Sequence, residues 1–139
     1  MKLFISLFIV LLSLGFSVKA NADVAIVVHP SNNAKLSEKD IERIFLGKIK
    51  SFSNGKSIVA FSQSPGSKVS DEFNEKVLDK SATQLKAYWS KLVFTGKGTP
   101  PEEVESDAEI LARVAEEPSG IGYVDASKVD SSVKVLATF

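Results

Sequence analysis

Cysteine is absent from these 139 residues, so no disulfide staples the chain and no thiolate serves as nucleophile or metal ligand. Histidine occurs once, as His29, and one histidine without cysteine cannot build a zinc site. A Ser-His-Asp triad would have to recruit His29, and the chain has no nucleophile-elbow pattern. No catalytic group, metal or cofactor is therefore expected. An excess of either charge is also lacking, since 17 Lys and Arg balance 17 Asp and Glu. That balance removes the basic footprint needed for nucleic acid or an anionic membrane. There is no internal repeat, no low-complexity tract and no second long apolar run.

The one long apolar run is at the start. Lys2 precedes Leu3-Phe4-Ile5-Ser6-Leu7-Phe8-Ile9-Val10-Leu11-Leu12, Gly15 breaks the run, and Ala20-Asn21-Ala22 has a small-x-small pattern. This is the layout of a cleaved secretory leader over 1–22, and the run is short for a membrane span of ~20 residues. Residues 23–139 then form a single domain outside the cytoplasm, read here as periplasmic. Lys2 and Lys19 leave with the leader, so this domain carries 15 basic and 17 acidic side chains.

Val24-Ala25-Ile26-Val27-Val28 is an unbroken, β-branched apolar run, the pattern of a strand covered on both faces. His29-Pro30-Ser31-Asn32-Asn33 ends it with turn chemistry. Ser37 and Asp40 have capping-box spacing, Leu36 and Ile41 form a hydrophobic staple, and Gly47 terminates a helix over 37–46. A second strand is expected at 58–61. Helices follow at 67–79, at 81–94 with a Ser81/Gln84 box, and at 106–116 with a Ser106/Glu109 box. In the 81–94 helix Leu85, Tyr88, Trp89, Leu92 and Val93 line an inner face. The acids Glu102, Glu103, Glu105, Asp107 and Glu109 are read as complementing a helix dipole rather than as a cation site. The last strands are 121–124 and 133–136. Strands interleaved with helices predict an α/β domain of three layers around a mostly parallel sheet.

In such sheets ligands bind where loops leave the strand carboxyl ends, here 29–33 and 62–67. The second loop is the more informative, because Ser62-Gln63-Ser64-Pro65-Gly66-Ser67-Lys68 runs from a strand into a helix N-terminus. Such a terminus leaves backbone N–H groups free and attracts anions. Ser62, Ser64 and Ser67 supply hydroxyls, Gln63 an amide, Lys68 a charge, and Gly66 leaves the backbone approachable. Ser31 and Asn32 are candidate contributors from the other strand exit. The same residues also suit an ordinary turn and cap with no ligand. His29 is read as a loop or rim residue.

Three segments carry a resemblance. Ile44-Phe45-Leu46-Gly47-Lys48 ends the first helix, Ile121-Gly122-Tyr123-Val124 follows Ser119-Gly120, and Val28-His29-Pro30-Ser31-Asn32 leaves the first strand. Taken in their order along the chain they resemble the phosphate ABC-transporter substrate-binding family, from Val24 to about Asp125. The resemblance implies the second lobe of a two-lobed protein that clamps its ligand between lobes. Pro65-Gly66-Ser67 stands where the family has Ser-Gly-Thr, and no arginine lies within 57–73. It implies phosphate or a similar small oxyanion as ligand and a membrane transporter as partner. The alternative from a different class is a non-catalytic interaction module docking on another envelope protein. A lone lobe exposes the face its missing partner would cover, and that face also suits a homodimer.

The leader reading predicts Asp23 as the mature N-terminus. Amino-terminal sequencing of protein recovered from the periplasm should return Asp-Val-Ala-Ile. Intact Met1 in the membrane fraction would contradict it.

Overall fold

The computed structural model describes residues 23–139, so the leader read at 1–22 lies outside the described residues. The chain order is β1 (Val24–Val28), α1 (Glu38–Phe45), β2 (Val59–Gln63), α2 (Lys68–Phe73), α3 (Ala82–Phe94), β3 (Glu102–Val104), α4 (Asp107–Glu116), β4 (Gly120–Asp125) and β5 (Lys134–Thr138). A π-helical turn, Asn74–Leu78, continues α2 and stops at Asp79, which is left-handed at φ 51°. Among the described residues no helix is long and apolar enough to cross a membrane.

The five strands form one sheet in the order β3-β2-β4-β1-β5. β2 pairs parallel with β3 and with β4, whereas β1 pairs antiparallel with β4 and with β5. Four strands thus run one way and β1 alone runs the other. The sheet is mixed and mostly parallel, as its apolar strands predict.

β1 is buried along its whole length, and its alternating side chains feed two cores. Val24, Ile26 and Val28 pack with Ile41, Phe45, Phe73 and Tyr123 under α1 and α2. Ala25 and Val27 pack with Phe61, Ile110 and Val114 under α4. These are the three layers expected. Ser37 and Ser81 cap α1 and α3 in complete capping boxes. At α4 Ser106 accepts from Glu109 N–H, but the Glu109 carboxylate turns to Glu105 N–H, one residue earlier than a box requires.

Three expectations change. Glu102 and Glu103 lie on the short strand β3, paired with Phe61 and Ser62, instead of at a helix start. Three residues with two acids carry no strand pattern, and only pairing with β2 makes this segment extended. β2 itself runs on through Ser62 and Gln63, so these two belong to the sheet and not to the loop. Third, α3 buries none of its side chains. Tyr88 and Trp89 are half-buried, Val93 is 54% exposed and Phe94 93% exposed. The apolar face is present as read, but the described residues cover it only in part: Leu85 and Tyr88 pack against the core, while Val93 and Phe94 stay exposed.

Gly122 marks how closely α4 packs on the sheet: a Cβ there would lie 2.8 Å from Ile110 Cγ2 and 3.4 Å from Val114 Cγ2. Both neighbours are fully buried and cannot yield. Gly122→Ala should therefore cost about 1–3 kcal/mol, as overpacking does. Trp89→Ala should cost less than the ~3–5 kcal/mol of a fully buried aromatic. Urea unfolding of both variants tests this; an unchanged midpoint for Gly122→Ala would contradict the packing described.

Candidate functional site

The loop after β2 is held by one buried polar knot. The Tyr123 hydroxyl accepts from Gln63 N–H at 2.9 Å and donates towards Ser70 Oγ at 3.4 Å. Ser70 Oγ in turn donates to the Gln63 carbonyl at 3.4 Å. The Gln63 side chain points inward, its amide nitrogen donating to Asp107 Oδ1 at 2.6 Å and to the Tyr123 carbonyl at 3.2 Å. Asp107 Oδ1 also accepts from Asp125 N–H at 3.1 Å. Tyr123 stacks on Phe73 with centroids 3.8 Å apart, and Phe45 meets Phe73 edge-on at 4.8 Å. Burial pushes the Tyr123 hydroxyl above its ordinary range, so it stays protonated and can donate.

From this knot the chain turns sharply. Ser64 N–H and Oγ both reach the Val104 carbonyl, at 3.0 and 3.4 Å. Pro65 followed by Gly66 at φ +94° is the residue pattern a type II turn requires. A Cβ at Gly66 would meet nothing within 4 Å, so the space above this backbone is open. Ser67 caps α2 by accepting from Ser70 N–H at 3.1 Å. The N–H groups of Gly66, Lys68 and Val69 have no acceptor of hydrogen-bond geometry among the described residues. Lys68 is the loop's only cation, and its charge helps hold Asp125 below the ordinary carboxylate range, after the stronger hydrogen bonds from Ser127. Asp71 and Glu103 also lie close enough to act on Tyr123, so the neighbourhood is electrostatically mixed.

Ser62, Gln63, Pro65 and Ser70 also form one end of a cleft of about 820 Å³ that continues between Phe73, Tyr123 and the facing side of α3. Its walls are mainly apolar, with polar groups both at the loop end and on α3 at Thr83, Lys86 and Ser90.

Ser31 and Asn32 are not brought to this loop. β1 runs antiparallel to β4, with Val28 opposite Ile121 and Val24 opposite Asp125. Its carboxyl end therefore lies where β2 and β4 begin, at the opposite edge from Gln63. Ser31 and Asn32 line a separate hollow of about 310 Å³ with Asn54, Lys56 and Ser119. His29 Nδ1 accepts from Ser31 N–H at 3.1 Å and contacts Ser31 Oγ at 2.7 Å, and Asn32 Oδ1 accepts from Ala34 N–H at 2.8 Å. All three side chains fold their own turn. Among the described residues no cluster of three His, Asp or Glu could hold a metal ion.

Tyr123, Ser70 and Asp107 complete the site's frame and were not among the residues read as candidates. A signal existed for Tyr123, since a tyrosine inside an otherwise apolar strand needs a partner for its hydroxyl. Nothing local singles out Ser70 or Asp107.

The profile of the PBP superfamily domain matches residues 20–138. The chain belongs to that family. The fold is found in an ABC-type phosphate transport receptor from Vibrio cholerae, at TM-score 0.64 and 20% identity, over 83% of this chain and 46% of that one. It is found in a Clostridium perfringens protein assigned as a phosphate ABC transporter substrate-binding protein and solved with bound phosphate, at TM-score 0.64 and 25% identity, over 83% and 45%. PstS from Borrelia burgdorferi gives TM-score 0.63 at 14% identity, over 84% and 47%. No protein of curated function matches. The chain spans less than half the length of these structural relatives, the extent of a single lobe.

The knot makes a stability prediction. Tyr123→Phe should leave Gln63 N–H buried without its acceptor and cost about 1–3 kcal/mol. Ser70→Ala, which removes only the longer 3.4 Å contacts, should cost less. Denaturant midpoints decide; the reverse order would contradict the assignment of the short bond to Tyr123.

Proposed function

We propose that this chain is an exported, non-catalytic solute-binding lobe that recognises a phosphate-type oxyanion at the loop 62–68, in the periplasm and in connection with ABC transport. The observation that carries the proposal is the set of unpaired N–H groups at Gly66, Lys68 and Val69, beside an open glycine at the head of α2. Backbone donors at a helix start favour an anion because they add to the dipole's partial positive charge. Ser67 keeps its hydroxyl hydrogen available, because its oxygen serves as acceptor in the cap. Lys68 adds a cation. Ser64 contributes less, since its N–H and hydroxyl are both directed to Val104, and Gln63 holds the frame while the oxyanion is met further along the loop. The bound phosphate in the Clostridium perfringens relative supports the ligand class.

A lone lobe offers about half the donors of a two-sided clamp, and water competes for the remainder. Asp71 and Glu103 weaken it further. The affinity expected is therefore low, with a Kd of about a millimolar. The exposed apolar face of α3 favours a second reading, an envelope interaction module that keeps the lobe fold without the ligand.

Phosphate titration of the 23–139 protein, followed by amide NMR, separates the two. Shifts should concentrate at 64–70. Gly66→Asp adds a carboxylate where the oxyanion would sit and should weaken binding at least about tenfold. It should also cost roughly 1–2 kcal/mol of stability, because φ is positive there. Shifts clustering elsewhere, equal binding by Gly66→Asp, or no response to phosphate would overturn the site.

A further inference from the structure

Helix α3 is 13 residues long, about 20 Å, and buries no side chain, whereas α1, α2 and α4 each bury three. One face, through Leu85, Trp89 and Val93, looks across the 820 Å³ cleft at Phe73, Leu78 and Tyr123. The helix is joined to the body along one edge, with Leu85 and Tyr88 half-buried against the core. Its further ties are the Tyr88 hydroxyl, which donates to the Leu46 carbonyl at 2.7 Å, and the Trp89 ring packed against Gly47 and Gly98. Left-handed residues flank it on both sides, Asp79 at φ 51° and Gly96 at φ 66°. At its end Phe94 stands 93% exposed.

The charges are sorted as well. α3 carries Lys86 and Lys91 and no acid. Glu103 is the one acid lining the cleft, which Lys86 also lines, while Asp71 and Glu75 line a neighbouring hollow with Lys80. The ion pairs among the described residues are Lys76–Glu72 and Arg113–Glu102, and neither involves an α3 lysine. A helix that carries only basic charges over an apolar face and an apolar cleft whose one acid is Glu103 complement each other, and one chain carries both. That is the requirement for a two-fold contact, in which each copy offers the same two surfaces.

We propose that α3 is an exchange arm, and that two copies of this chain form a dimer in which α3 of each lies in the cleft of the other. Val93 and Phe94 then lie against the partner's Phe73 and Leu78, and Lys86 faces Glu103 of the partner subunit. The apolar centre is covered and the charges fall at its rim, the usual anatomy of a specific interface. The proposal stands whether or not the loop 62–68 binds an anion.

Sedimentation equilibrium of the 23–139 protein should give the dimer mass at micromolar concentration. Phe94→Asp alters a side chain that touches little in the monomer, so it should give a monomer with unchanged far-UV circular dichroism. Lys86→Glu and Glu103→Lys should each weaken dimerisation by about tenfold, because each sets like charges face to face twice. Mixing the two single variants should restore the dimer, since the heterodimer pairs Glu with Lys at both contacts. A monomeric wild type overturns the proposal. So does a Phe94→Asp variant that dimerises as well as wild type, which would put the contact elsewhere. Rescue by both changes on one chain, without rescue by mixing, would show that α3 closes on its own body and would equally overturn it.

Discussion

The carboxyl end of this sheet depends on one buried hydroxyl. Tyr123 sits in the buried stretch of β4 among Ile121, Gly122 and Val124, and its oxygen must be satisfied where water cannot reach. It takes the N–H of the last residue of β2 and reaches the third residue of α2, so the loop between them is pinned at both ends. The ring is wedged by Phe73 and, through it, by Phe45. Gln63 extends the knot to α4 through Asp107. The free amides of Gly66, Lys68 and Val69 keep their place because this frame fixes the chain on either side. The oxyanion reading thus rests on side chains that would never touch the oxyanion.

The second constraint is the direction of β1. As the strand buried on both faces, it organises both cores, yet it runs against its neighbours. Strand direction leaves no trace in composition or periodicity. Val24-Ala25-Ile26-Val27-Val28 announces burial on two faces, and two-sided burial is usual in parallel sheets. Parallel pairing holds among β2, β3 and β4 and fails for β1, whose two partners, β4 and β5, are both antiparallel to it. The placement of Ser31 and Asn32 fails with it, because pooling two strand exits assumes that both strands point the same way.

Most of the local chemistry that depends on neighbours in sequence was readable, the Ser106/Glu109 box being the exception. The caps at Ser37 and Ser81, the stop at Gly47 and the turn at Pro65-Gly66 all form within a few residues. What depends on distant partners was not readable. β3 is a strand only because β2 lies beside it. Gln63 looked like a ligand donor in a polar loop, and turns inward because Asp107, 44 residues away, offers an acceptor. The apolar face of α3 was legible in Leu85, Trp89 and Val93, but helical spacing states only that a face seeks cover. It does not state whether the same chain provides it.

Membership in the PBP superfamily domain family and the likeness to lobes of phosphate receptors establish the architecture; the claim that matters most is chemical, an oxyanion held by backbone donors at the head of α2. The most direct measurement is a crystal structure of residues 23–139 grown with arsenate, phosphate's isostere, with data collected at the arsenic absorption edge. The account predicts an anomalous peak within hydrogen-bond distance of the Gly66, Lys68 and Val69 nitrogens and Ser67 Oγ. An anomalous peak confined to other surfaces, or none in a well-ordered loop, would contradict it.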